Sequence, residues 1–77
     1  MCLAVPGEVM TVVERYGLRF GRVRFGGVTR DVCLEYVPEA AAGEFVLVHV
    51  GFAIARIDRD EAERTWAALE ALGEASA

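Results

Sequence analysis

The sequence offers few side chains for catalysis: among its 77 residues it has no lysine, one serine and one histidine. The serine, Ser76, lies one residue from the C-terminus, where chains are usually poorly ordered, so serine nucleophile chemistry is nearly excluded. A Cys–His catalytic pair remains conceivable, but no third group is apparent to orient His49. The sequence therefore disfavours an enzyme.

Long apolar runs are also missing. The longest, residues 45–54, is interrupted by His49 and Gly51 and is far shorter than the roughly 20 residues that cross a bilayer. No basic region precedes an apolar run at the N-terminus, so we expect no secretory signal, no membrane partner and a cytoplasmic location. Thiols stay reduced in that compartment, which predicts that Cys2 and Cys33 do not form a disulfide.

Positive charge is scarce, because 12 acidic residues face 8 basic ones and the formal net charge is -4. Such a balance gives no general attraction to phosphate backbones, so we do not expect a nucleic-acid partner. We predict that Arg19, Arg22, Arg24 and Arg30 form a solvated sheet face, with salt bridges as the second interpretation. A small nucleic-acid-binding barrel that uses Arg22 and Arg24 remains the alternative function.

The apolar pattern predicts one domain of short strands. With 55% hydrophobic residues the chain should fold, and its length supports one core. Alternation and glycine-containing turns predict strands over residues 7–13, 22–25, 28–34, 45–50 and 52–57. If the second strand begins at Leu18 instead, Gly21 should mark a bulge or kink that restores the facing.

Five short strands can best remove their exposed edges by curling into a barrel. We therefore predict a mainly β fold, a small OB-fold-like five-stranded β-barrel over residues 1–57. Asp58, followed by Glu61, has the spacing of a capping box and predicts a C-terminal α-helix over residues 58–73. This helix is amphipathic and should pack on the barrel or on a partner, and residues 74–77 form a tail. Its apolar face is Ala62, Trp66, Leu69 and Leu72.

Two residues could bind a metal. Cys2 would carry both a thiol and the terminal amine if Met1 were removed, but an early cysteine is more often a small apolar residue at a strand edge. A lone histidine such as His49 is more often a hydrogen-bonded core residue than a ligand. One thiolate and one imidazole suit zinc, copper or iron but cannot complete a structural tetrahedral site. Any metal would therefore be bound transiently, with further ligands from outside.

Other residues near these two allow two interpretations. Pro6 and Gly7 either separate a mobile N-terminal segment from the first strand, which lets Cys2 reach outward, or begin that strand in the ordinary way. Cys33 lies within a predicted strand and is interpreted as structural. Trp66 is interpreted as a core anchor rather than as a residue that binds a partner.

Three segments together closely resemble the HypC/HupF family of NiFe-hydrogenase maturation chaperones. They are Met-Cys-Leu-Ala-Val-Pro-Gly at residues 1–7, Gly-Glu-Phe-Val-Leu-Val-His-Val-Gly-Phe-Ala-Ile at residues 43–54, and Ile-Asp leading into an acidic helix at residues 57–62. The resemblance implies an OB-like barrel that acts as a carrier and chaperone, not as a catalyst. It further implies a complex with the iron–sulfur scaffold protein HypD, on which an Fe(CN)2CO moiety is assembled, and delivery to the hydrogenase large-subunit precursor.

The resemblance also implies a site. Cys2 matches the essential N-terminal cysteine of the family and His49 matches its motif histidine, so both are expected to contact iron that is held transiently, without a permanent cofactor. The residues expected to bind partners are Cys2, Leu3, Pro6, Gly7, His49, Gly51 and Phe52.

Overall fold

A computed structural model of the chain describes residues 4–72 and shows a closed five-stranded barrel followed by one helix. The barrel order is β1-β2-β3-β5-β4, and β4 closes the barrel by pairing with β1. The predicted fold, mainly β with an OB-like five-stranded barrel and a C-terminal helix, is confirmed. The predictions for Cys2, Leu3 and the tail lie outside the described residues. The elements are β1 (Val5–Arg15), β2 (Leu18–Phe25), β3 (Val28–Cys33), β4 (Phe45–His49), β5 (Phe52–Ile57) and α1 (Arg59–Leu72).

The core fills the barrel with small and branched apolar side chains. Its largest fully buried members are Leu34, Val9, Val23, Val32 and Val46. The connection between β3 and β4 adds further buried residues to this core. It folds into consecutive turns in which an N–H donates to the carbonyl three residues earlier. Two backbone hydrogen bonds attach this connection to Val9 of β1. The Val9 N–H donates to the Glu44 carbonyl and the Val9 carbonyl accepts from the Gly43 N–H, both at 2.8 Å.

Two hairpin turns have two consecutive residues with positive φ, which is the backbone of a type I′ turn. Tyr16 and Gly17, between β1 and β2, have φ values of 57° and 77°. Val50 and Gly51, between β4 and β5, have φ values of 52° and 82°. This turn geometry matches the right-handed twist of the flanking strands and therefore supports barrel closure.

The bulge predicted at Gly21 is wrong. The β2–β3 register is regular through Gly21, and the irregularity of the β1–β2 pair lies on β1, where Met10 is the extra residue between Val9 and Thr11. Gly21 instead faces the core, where a Cβ atom would lie 3.0 Å from Cδ1 of Leu34. Leu18 simply stays on the outer face, which apolar residues commonly do, so no kink is needed to turn it inward.

The first strand begins earlier than predicted. Pro6 pairs with Leu47 and Gly7 with Val46, so both residues lie inside β1 and are buried. Proline is tolerated because β1 has no β2 partner before Glu8 and is an edge on that side. Of the two interpretations of this segment, the structure therefore matches the ordinary start of a strand.

The helix begins as its sequence indicates. The Asp58 carboxylate accepts a hydrogen bond of 2.7 Å from the Glu61 N–H, which confirms Asp58 as the N-cap. Ala62 and Leu69 are buried and Trp66 packs against the barrel core, so α1 lies on the barrel and contacts β1 and β4. Within residues 4–72 no helix has both the length and the apolar character to cross a membrane.

Candidate functional site: the β4–β5 tip

His49 is the last residue of β4 and directly precedes the tight turn to β5. It is half-buried and shares the outer face of β4 with Phe45 and Leu47, opposite the buried Val46 and Val48. Its imidazole makes no hydrogen bond to another residue of the described range 4–72. His49 is therefore at the surface edge of the barrel and not a hydrogen-bonded core residue.

Apolar side chains are exposed at the end of the barrel that carries His49. Phe52 is its cross-strand partner and is 44% exposed. Tyr36, from the β3–β4 connection, is 70% exposed and its ring centroid lies 5.8 Å from that of Phe52 in a tilted arrangement. Val50, in the turn, is 72% exposed. We call these four residues, His49, Val50, Phe52 and Tyr36, the tip surface.

The described chain starts at the same end of the barrel as the tip surface. Val5 pairs with Val48, the residue before His49, so Ala4 leads away from β1 next to the end of β4. Three peptide links connect Val5 to Cys2, a span of at most about 11 Å. Cys2 is therefore joined by a short segment to the strand that starts next to the end of β4, where His49 lies. Within residues 4–72 no group of three or more His, Cys, Asp or Glu side chains is placed to hold a metal ion.

Three of the predicted partner-binding residues have structural roles in the barrel. Gly7 faces the core so closely that a Cβ atom would lie 2.7 Å from Cε1 of Phe25. Pro6 is buried beside it, and the Gly51 carbonyl accepts a 2.9 Å hydrogen bond from the Cys33 N–H. Binding of a partner by Pro6, Gly7 and Gly51 stays a prediction. Of the two cysteines, Cys33 is described, and it is buried and free.

The predicted arginine face is only partly correct. Nη1 of Arg22 lies 3.0 Å from Oδ1 of Asp31, and Nη2 of Arg24 lies 2.8 Å from Oε1 of Glu8. Both arginines therefore lie on the outer face and are ion-paired. Arg19 instead donates from Nη2 to the carbonyl of Ala40 at 2.8 Å. A face whose guanidinium groups already pair with carboxylates offers less positive charge to a phosphate backbone, which weakens the nucleic-acid alternative.

Arg30 is exposed, as predicted, although it pairs with the buried Val23 and so lies on the other face of the sheet from Arg22 and Arg24. Sequence reasoning also missed Tyr36 and the strain at Val50. Tyr36 lies in an irregular segment whose contact with Phe52 is not local, so no sequence signal could have found it. The Val-Gly pair between two β-rich runs did signal a type I′ turn, since Gly suits its second position.

Fold and site define a class of small single-barrel proteins with an aromatic and apolar surface beside a histidine at the end where β1 begins.

Comparison with known proteins places the chain within that class. The model of the HupF/HypC family matches residues 1–69. The chain is 43% identical over 75 residues to the hydrogenase maturation factor HypC of Synechocystis sp., covering 95% of this chain and 99% of that protein. It is 42% identical over 73 residues to the hydrogenase maturation factor HybG of Escherichia coli K12, covering 90% of this chain and 88% of that protein. The chain belongs to the HupF/HypC family.

Proposed function

We propose that this protein is a hydrogenase maturation factor, a cytoplasmic carrier and chaperone without catalytic activity of its own. With the scaffold protein HypD it helps to assemble an Fe(CN)2CO moiety and delivers it to the large-subunit precursor of a NiFe-hydrogenase. The names of its relatives, hydrogenase maturation factors, support the first part of this proposal. The iron fragment is cargo that passes through the protein.

One observation carries the proposal: β1 begins beside His49. Pairing of Val5 with Val48 ties the N-terminal cysteine to the end of the barrel that exposes the tip surface. Exposed apolar patches rimmed by polar groups are typical of surfaces that bind other proteins. Cys2 would therefore reach a partner that docks on the tip surface.

The donor chemistry suits a transfer. A thiolate and an imidazole are both good ligands for iron, but together they leave most of the coordination shell to cyanide, carbon monoxide and the scaffold. A fragment held by so few ligands of the carrier can be released by ligand exchange. Cys2 supplies the thiolate in this proposal and His49 the second donor.

The test replaces Cys2 in cells that also produce the scaffold. In Cys2→Ala we expect loss of the cyanide and carbonyl infrared bands from the complex purified without oxygen, and loss of hydrogenase maturation. Cys33→Ala is the matched control, since Cys33 is the cysteine that is buried in the barrel, and we expect it to leave the bands and maturation in place. Circular dichroism of both variants checks the fold. Normal maturation with Cys2→Ala would refute the proposal.

A further inference from the structure

A cavity of about 360 Å³ lies between the barrel and α1. Phe45 from β4 and Trp66 from α1 line it together with Ala62 and Ala67, so much of its wall is apolar. Its volume falls within the range of about 300–1,000 Å³ that is usual for binding pockets. The barrel and the helix therefore leave a space that an apolar side chain of another molecule can enter. We call this cavity the helix groove.

Trp66 belongs both to the packed core and to the helix groove. Its ring packs against the core cluster, and Cζ2 lies 3.3 Å from where a Cβ atom of Gly26 would be, so the barrel holds one side of the ring. The residue is nevertheless only half-buried and lines the groove. A ring that the fold already fixes loses little further freedom when a partner covers it, which favours binding.

The charges on the barrel side of the groove are already engaged. Nη2 of Arg24 lies 2.8 Å from Oε1 of Glu8, and both residues line the groove. Arg59 is outside the lining, and its guanidinium carbon lies 5.7 Å from the centre of the Phe45 ring. The Arg24–Glu8 pair adds no net charge, so the charge that the groove offers to a partner is set by α1.

The α1 side of the groove is acidic. Glu63 and Glu70 line it, are exposed and form no ion pair within residues 4–72. They are seven residues apart on one helix face, with Ala67 between them, which at 1.5 Å per residue is about 10 Å. Two carboxylates thus flank the apolar entrance, separated by roughly the length of three residues of extended chain.

We propose that the helix groove binds a segment of a partner protein that inserts an apolar side chain and carries lysine or arginine on both sides of it. Charge complementarity selects this occupant, because Glu63 and Glu70 attract basic residues and repel acidic ones. The groove is a second docking surface, separate from the tip surface. Phe45 and His49 lie on the same outer face of β4, four residues or about 13 Å apart, so one partner can occupy both surfaces.

Trp66 is the single tryptophan of the chain, so its fluorescence reports binding in the groove without iron or the scaffold. The probe is the end-blocked peptide Lys-Lys-Leu-Phe-Lys-Lys, which contains no tryptophan, titrated into the full-length chain. We expect a saturable change in Trp66 emission that weakens as salt is added. The peptide Glu-Glu-Leu-Phe-Glu-Glu should bind about tenfold more weakly or worse. Equal binding of the two peptides would overturn the proposal.

Paired variants test whether the groove carboxylates select the basic peptide. Glu63→Gln combined with Glu70→Gln is expected to weaken binding about fivefold at low salt, as for the loss of two exposed ion pairs. Glu14→Gln combined with Glu39→Gln is the matched control, because it removes the same charge from exposed residues outside the groove. Equal weakening in both would mean that only net charge attracts the peptide, and the proposal would be wrong.

A second pair of variants tests the cavity itself. Ala67→Arg places a long side chain in the groove and should abolish the saturable change, whereas Ala68→Arg adds the same charge at an exposed α1 residue outside the lining and should bind nearly as before. Circular dichroism checks both folds. Unaltered binding in Ala67→Arg would overturn the proposal. So would Trp66 emission that depends on protein concentration without peptide, together with sedimentation as a dimer, because a second copy of the chain would then occupy the groove.

Discussion

Val50 has a left-handed backbone conformation that its residue type disfavours. It is β-branched, has a φ of 52° and is 72% exposed, so it gains little from packing. The left-handed backbone costs an L-residue other than glycine about 1–2 kcal/mol. Val50 belongs to the tip surface and also lines a cavity together with Val5 and Val48.

Replacing Val50 should therefore separate stability from function. Asn-Gly is the preferred pair for a type I′ turn, so Val50→Asn is expected to raise the free energy of unfolding by about 1 kcal/mol in a urea titration. The same change removes an exposed apolar side chain and is expected to weaken binding to the scaffold, as measured by co-purification.

Tyr16 supplies the matched control at residue scale. It has the same backbone, with a φ of 57°, and the same following glycine. It lies at the far end of β1, which at about 3.3 Å per residue is roughly 30 Å from Val5. Tyr16→Asn should stabilise the chain and leave scaffold binding unchanged. A stabilised Val50→Asn with full scaffold binding would contradict the role assigned to Val50.

At the scale of elements, the approach of β1 to β2 depends on the absence of one side chain. A Cβ atom at Gly7 would meet the side chains of Val23 and Phe25, and both belong to the packed core. Gly7→Ala is expected to lower the free energy of unfolding by about 1–3 kcal/mol, the usual cost of overpacking. Gly27→Ala is the control, since no atom lies within 4 Å of its Cβ position. If Gly7→Ala and Gly27→Ala had the same free energy of unfolding in urea, β1 would be able to shift away from β2 without loss of stability.

The same scale shows what the sequence could predict. Alternating side chains, glycine-containing turns and the Asp58 cap act over a few residues, and from them the strand number, the order along the chain and the helix start were predicted correctly. The face of Arg30 depends on its register against Val23, which no local pattern determines. The bulge lies at Met10 and not at Gly21 for the same reason: its position depends on how β1 pairs with β2 and not on a local preference of the β1 sequence. Of the candidate site, the position of His49 was predictable and its neighbour Tyr36 was not.

On the scale of the whole molecule, the two sides of the barrel differ in what they leave open. The helix covers part of β1 and β4, and Cζ2 of its Trp66 lies 3.3 Å from where a Cβ atom of Gly26, in the β2–β3 turn, would be. The connection from Leu34 to Ala40 fills the interior with apolar side chains. The end where β1 begins carries the tip surface and a cavity of about 180 Å³, whereas the larger helix groove, of about 360 Å³, is lined by residues of β1 and α1. Under the proposed function, we expect a partner that contacts Cys2 to dock at the tip, because the N-terminal segment joins β1 at that end.

The tip surface should therefore be needed for complex formation and not for folding. Phe52→Thr keeps a residue that suits a strand but removes the exposed ring that contacts Tyr36, so we expect weaker co-purification with the scaffold and little change in the urea midpoint. Val13→Thr is the control, since Val13 on β1 is similarly exposed, at 42% against 44%. Both variants make an exposed apolar side chain more polar, so weaker scaffold binding in Val13→Thr as well would indicate non-specific adhesion rather than a defined docking surface. Unchanged scaffold binding in Phe52→Thr would show that the docking surface lies elsewhere than the tip. It would also remove the reason to expect that Cys2 meets its partner there.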